Sequence, residues 1–180
     1  MFYKAFLTKE LKLEPRDMGK KIQEMVQTRL REAVEGKLIP NVGFVITMLA
    51  ISHDWMGTGV LDNSTGGAVY KVGYEAVVFR PFKNEVLDVI VTSCNAHGFA
   101  GSVGGMFNVF VHRSQMPMNT PADPQVFSND AWISLDKEMQ IKPGCGVRLR
   151  VMAIKFHQLN ITGVGNIKDH FCGLLFTEGE

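Results

Sequence analysis

Tyr74-Glu75-Ala76-Val77-Val78-Phe79-Arg80-Pro81-Phe82-Lys83-Asn84-Glu85-Val86-Leu87-Asp88-Val89-Ile90-Val91 holds two strand-like runs parted by Arg80-Pro81-Phe82-Lys83. Val, Ile, Phe and Tyr suit the pleated, half-buried surface of a sheet. The break between the runs reads as a junction between two domains, residues 1–80 and 81–180. What lies on either side of it decides the fold.

Working back from the junction, Val42–Ser52, Val60–Leu61 and Ala68–Val72 share the β-prone composition, punctuated by glycines at 57, 59, 66, 67 and 73. Earlier still, Met18, Ile22, Met25, Val26, Leu30, Ala33 and Val34 recur at steps of three and four, one stripe of an amphipathic helix. Pro15 opens that helix and Gly36 is its stop. Its other face, with Lys20, Lys21, Glu24, Arg29, Arg31 and Glu32, is a solvated one. At the start of the chain, Tyr3, Ala5 and Leu7 fall on one face opposite Lys4 and Thr8, and Leu11 and Leu13 continue a strand. One helix on a mostly antiparallel sheet makes the first half a small α+β unit.

Forward of the junction the pattern is almost wholly β. Glu85–Ser93 places Val86, Val89 or Ile90, and Val91 in a strand register. His97–Val103 and Phe107–His112 flank Gly104-Gly105, a pair that favours a tight hairpin. Met116–Asp130, with Pro117, Pro121 and Pro124, reads as a long irregular loop. Gly146–His157 alternates, with Val147, Leu149, Val151 and Ala153 on one face and Arg148, Arg150 and Met152 on the other; Asn160–Ile167 is its hairpin partner. Five strands so arranged predict a small barrel of the OB type.

Charge and composition bound the function. The chain has 180 residues with 19 Lys and Arg against 18 Asp and Glu, a formal net charge of +1. Residues 1–80 carry 11 basic and 9 acidic side chains, net +2, and residues 81–180 carry 8 and 9, net −1. A polyanion binder driven by bulk charge is excluded, so any nucleic-acid contact has to come from shape and stacking. The longest nearly apolar run, Val42–Ile51, falls well short of the roughly 20 residues that cross a bilayer. Charge interleaved through Met1–Glu10 is unlike a signal peptide, which makes an intracellular protein the expectation. Cys94, Cys145 and Cys172 are odd in number, widely spaced and without CxxC, so reduced thiols are expected rather than a disulfide framework.

No catalytic or metal-binding constellation is legible. The histidines at 53, 97, 112, 157 and 170 form neither HExxH nor HxH, and His170 with Cys172 lacks a second pair. Gly57-Thr58-Gly59 begins a GxGxxG pattern, but Asp62 stands at the third glycine position and a hairpin turn explains it better. Neither a cofactor nor an enzymatic activity is expected. The barrel half does offer rings: His97, Phe99, Phe107, Phe110 and His112 cluster on two adjacent strands beside Arg113. Flat side chains on an OB sheet stack unpaired bases, and Arg113, Arg148 and Arg150 can meet phosphates. The candidate RNA-binding residues are therefore His97, Phe99, Phe107, His112, Arg113, Arg148 and Arg150. Alternation also allows Phe99 and Phe110 simply to fill the barrel, with His97 and His112 the better exposed pair.

Val78-Phe79-Arg80-Pro81-Phe82-Lys83-Asn84-Glu85-Val86-Leu87-Asp88 resembles the domain junction of the polymerase stalk family, and within it the family of the seventh subunit of RNA polymerase II. Met1-Phe2-Tyr3-Lys4, Val34-Glu35-Gly36, Gly43-Phe44-Val45-Ile46, Gly57-Thr58-Gly59-Val60, Gly165-Asn166-Ile167 and Asp169-His170-Phe171-Cys172-Gly173-Leu174 are similar to that family in the same order. The resemblance implies a truncated RNP-like α+β domain followed by an all-β OB-fold barrel of the ribosomal-protein S-one type. It implies a non-catalytic nuclear subunit that pairs with the fourth subunit of RNA polymerase II, docks on the polymerase core and binds single-stranded nascent RNA, with no membrane partner. Gly57, Thr58, Gly59 and Val60 match the tip loop and are the candidate core-docking residues. His112 and Ser114 match the His-x-Ser that closes the RNA-facing strand in such barrels. Departures are His97 and Ala100 where those barrels often place exposed aromatics, Asn84 in place of a glycine, and residues 116–136, which have no counterpart in the pattern. A paralogous stalk subunit of another polymerase, and a free-standing OB-fold RNA-binding or translation factor, are the competing readings.

Overall fold

In the computed structural model the chain divides into two units, Met1–Arg80 and Pro81–Glu180. The structure describes residues 1–19, 21–52, 58–117, 126–128, 131–133, 140–157 and 160–176.

Among the described residues, the first unit is one antiparallel sheet backed by one α-helix. Strand β1 (Phe2–Leu13) pairs along its whole length with β5 (Gly67–Phe79), and β5 pairs on its other side with β3 (Gly43–Ile51) and β4 (Val60–Asp62). A two-residue strand β2 (Leu38–Ile39) extends β3 outward. The sequence reading divided β5 at Gly73, but the strand runs through it unbroken. The helix α1 (Ile22–Val34) starts later than Pro15, which instead opens a separate 3-10 turn, Pro15–Asp17. Val26, Leu30 and Val34 bury completely against Val45, Met48, Val72, Tyr74, Ala76 and Val78, with Met18, Ile22 and Ala33 half-buried at the margin. The predicted stripe therefore does cover the sheet.

Two register shifts in β3, between Val45 and Thr47 and between Met48 and Ala50, are held by one carboxylate. Glu35, the residue that ends α1, accepts the Met48 N–H at 2.8 Å and the Thr47 hydroxyl at 3.0 Å. The Met48 bond first, then the Thr47 bond, hold its carboxyl below the usual glutamate range, with Arg31 adding to them and burial opposing. A carboxyl depressed by folding stabilises above its unfolded pKa and loses that contribution as pH falls through the folded value. Glu35→Gln is expected to lower stability by roughly 0.5–1 kcal/mol at neutral pH, discounted for solvent screening. The difference should shrink below about pH 4 as the wild-type carboxylate protonates. Urea unfolding of both chains at neutral and acid pH checks this; a difference that grows in acid would contradict it.

The second unit is a closed barrel. Its strands are β6 (Val86–Asn95), β7 (Gly98–Val103), β8 (Phe107–His112), β12 (Gly146–Phe156), β13 (Ile161–Asn166) and β14 (Gly173–Phe176). The order β13-β8-β7-β6-β12-β14 is closed by β12 pairing with β13, and β13 runs parallel to β8. Leu87, Val89, Val91, Phe99, Phe107, Val109, Val111, Val147, Leu149, Val151 and Ile161 fill it. In β6 the inward set is thus Leu87, Val89 and Val91, while Val86 and Ile90 are exposed. In β12 the alternation holds through Val151 and then fails: a register shift between Val151 and Ala153 turns Ala153 outward, against the sequence reading. Asn84 has φ 67°, the left-handed region where asparagine is the best substitute for glycine.

The end of the stretch read as irregular loop, Met116–Asp130, and residues that follow it are sheet. Strands β9 (Val126–Ser128), β10 (Ala131–Ile133) and β11 (Gln140–Ile141) form a separate three-stranded sheet in the order β11-β10-β9. Ala131, Trp132 and Ile141 are buried.

Candidate nucleic-acid interface

Strands β7 and β8 set the outward face of the barrel. Alternation along β8 sends Phe107, Val109 and Val111 inward, which leaves Asn108, half-buried Phe110 and exposed His112 on the outer side. Cross-strand partners share a face. Phe110 therefore lies in a row with Ala100 of β7 and Val164 of β13, and His112 lies beside Gly98. Phe99 and Phe107 are both fully buried. This corrects their candidacy as base-stacking residues: each points to the interior, where ring area is worth more in packing than on a surface. Phe110, set aside as core, is the ring that the outer face offers. Its position two residues before His112, between buried Val109 and Val111, was the available signal.

His97 and Arg113 are exposed and meet through the backbone. The Arg113 N–H donates to the His97 carbonyl at 2.8 Å, and the His97 N–H donates to the Asn95 side-chain oxygen at 3.0 Å. The His112 Nδ1 accepts the Ser114 N–H at 3.2 Å and lies 2.8 Å from its hydroxyl. An Nδ1 that accepts an N–H places the proton of the neutral ring on Nε2, as a donor for a ligand. The face thus combines one ring, two imidazoles and one guanidinium, with no cluster of positive charge.

Arg148 and Arg150 are elsewhere. They pair in register with Asp88 and Val86, near the start of β6, whereas the His97 turn follows its last residue, Asn95. Seven to nine residues of strand, roughly 23–30 Å of extended chain, separate the two regions along β6. Both arginines are also engaged. Arg148 grips Asp88 with two bonds of 2.6 and 2.9 Å, which hold the Asp88 carboxyl below its usual range. The Arg150 Nε meets Asp169 at 3.2 Å as an ion pair without hydrogen-bond geometry. Cys172, nearby in sequence, has its thiol pushed up by burial first and by Asp169 second, so it stays protonated and unreactive.

In the first unit, Gly57 lies outside the described residues. Thr58 is exposed, and Gly59 backs onto the Tyr70 ring: a Cβ there would stand 2.5 Å from it. The glycine makes room for the Tyr70 ring rather than forming a left-handed turn. Val60 and its neighbour Leu61 are 70% and 69% exposed. Adjacent strand residues point to opposite faces, so β4 is bare on both sides. Its far end is rigid, because Asp62 accepts from Lys12, from the Ser64 hydroxyl and N–H, and from the Thr65 hydroxyl. Those bonds, Lys12 foremost, hold its carboxyl far below the usual range. Among the described residues no group of three or more His, Cys, Asp or Glu side chains could hold a metal ion.

A helix-backed sheet followed by a closed barrel with a lightly charged aromatic face defines a two-module protein of the S1-barrel class. Residues 80–155 match the family described as the S1 RNA binding domain, and residues 8–54 match the SHS2 domain found in the N terminus of Rpb7p/Rpc25p/MJ0397. The chain is 32% identical over 175 residues to DNA-directed RNA polymerase II subunit 7 of Arabidopsis thaliana, covering 97% of each. It is 30% identical over 181 residues to subunit RPB7 of Saccharomyces cerevisiae, covering 97% of this chain and 100% of the relative. Similarity to DNA-directed RNA polymerase III subunit rpc8 of Schizosaccharomyces pombe is lower, 24% over 137 residues, covering 74% of this chain and 63% of the relative. The chain belongs to the family of subunit 7 of DNA-directed RNA polymerase II.

Proposed function

We propose that this chain is the non-catalytic stalk subunit that pairs with the fourth subunit of RNA polymerase II in the nucleus. It docks on the polymerase core through the bare strand β4 and touches emerging single-stranded RNA with the β7–β8 face. The observation that carries the RNA reading is the outward set of Phe110, His112, His97 and Arg113 on the β7–β8 face of an S1 barrel, with Phe99 and Phe107 turned inward. Rings without a field of basic charge give contacts that any sequence can use and that stay weak. Docking to the polymerase, rather than intrinsic affinity, then keeps the barrel near the transcript.

The test is titration of a fluorescein-labelled oligouridine. His97→Ala combined with His112→Ala is expected to weaken binding about tenfold, within the range of base-stacking losses, and to leave the unfolding midpoint unchanged. The wild-type salt slope should correspond to about two or three phosphate contacts, near −2 on a log–log plot for a single strand. Wild-type affinity in the double variant, or a slope several times steeper, would overturn the assignment of this face.

A further inference from the structure

The turn between β6 and β7 is held from outside by a residue that lies off the strands of the barrel. Trp132, in the middle strand of the small β9–β11 sheet, is 4% exposed. Its indole N–H donates to two carbonyls at once, Asn95 at 3.1 Å and Gly98 at 3.3 Å. Those carbonyls bracket His97. A second, weaker link runs from the Cys94 thiol to the Ile141 carbonyl of the same small sheet at 3.7 Å. We propose that Trp132 is a positioning residue for RNA contact: its indole fixes the Asn95–Gly98 turn so that His97 stands in one face with His112 and Arg113.

The bonds around the turn make the argument. The His97 side chain has freedom, but its backbone is tied three ways: N–H to Asn95, carbonyl to Arg113, and the flanking carbonyls to Trp132. The same Arg113 N–H links the turn to the end of β8, where His112 is set by Ser114. Without the indole donor, two carbonyls lose their shared partner, and of the two links described from the small sheet only the weaker one through Cys94 is left. Its rest positions then broaden, and a ring that must meet a base in a fixed plane spends less time there. A buried N–H that bridges two backbone segments is also a specific device: an apolar ring of similar size would pack without it. The inference rests on the RNA reading of the β7–β8 face.

Trp132→Phe in the full chain removes the donor and keeps a ring. The expected result is a folded chain with about fivefold weaker oligouridine binding, in the range of one lost hydrogen bond acting through geometry. His97→Ala added to Trp132→Phe should weaken binding no further than His97→Ala alone, because both act through the same ring. The amide resonances of His97 and Arg113 should shift in a heteronuclear NMR spectrum without RNA. Asn95→Ala, which frees the His97 N–H, should move the same resonances and guards against misfolding of the first variant. Unmoved resonances, or losses from Trp132→Phe and His97→Ala that simply add, would overturn the proposal while leaving the RNA face standing. If the resonances move but neither His97→Ala nor Trp132→Phe alters binding, the RNA reading of the face fails and the positioning role for RNA fails with it.

Discussion

Gly98→Ala is expected to abolish cooperative folding of the barrel unit. Gly98 has φ +154°, and a Cβ built on it would lie 2.0 Å from the Val111 carbonyl oxygen and 3.0 Å from the His112 Cα. Both are backbone atoms of β8, so no side chain can rotate away, and relief requires β7 and β8 to part. They would part at the row that carries His112 and beside the carbonyl that Trp132 holds. Steric strain of this kind, combined with lost ladder bonds, is in the exceptional class of single substitutions, at least about 3 kcal/mol. Gly105→Ala is the matched control: φ is +74° but nothing lies within 4 Å of the added Cβ. There the dihedral penalty acts alone, about 1 kcal/mol. Urea unfolding followed by far-UV circular dichroism separates the two. A Gly98→Ala midpoint no lower than that of Gly105→Ala would show that the barrel tolerates the gap.

How far the molecule was legible depends on which interactions are local. The helix stripe is local, and Val26, Leu30 and Val34 go where their spacing sends them, whereas β8 was read with Phe110 filling the barrel and has the opposite parity, with Val109 and Val111 inside. The register shift in β12 is not local: Ala153 reads as inward by counting, and the shift against β13 turns it out. Phe99 and Phe107 were offered to RNA on ring chemistry, but the face a ring adopts is set by strand parity, and parity put them inside. Likewise Arg148 and Asp88 are 60 residues apart in sequence, so nothing local announces that the guanidinium is already occupied. The β9–β11 sheet is the extreme case. Its strands are two or three residues long, too short for any periodicity, and Trp132 matters through carbonyls 34 and 37 residues away.

Val60→Asp combined with Leu61→Asp is expected to release the chain from the polymerase core while leaving its fold intact. Both side chains are more than two-thirds exposed, and exposed positions away from special backbone usually change stability by less than about 0.5 kcal/mol. Two adjacent apolar residues bare on opposite faces of a short strand are poor value for a solitary protein, since each leaves apolar area in water. On the proposed docking role they would be gripped from both sides, and the ends of β4 are fixed: Tyr70 packs close against Gly59 at one end, and the Asp62 carboxylate locks the turn at the other. Burying one such side chain is worth about 1.5–3 kcal/mol, and forcing a carboxylate into the same slot reverses the sign. Loss of both anchors should weaken docking by well over tenfold. Affinity purification of tagged wild-type and variant chains, with the large polymerase subunits quantified by mass spectrometry, reads the effect directly. Recovery of the fourth subunit should be unchanged, which separates docking from pairing. Undiminished recovery of the large subunits by the double variant would remove β4 from the docking surface.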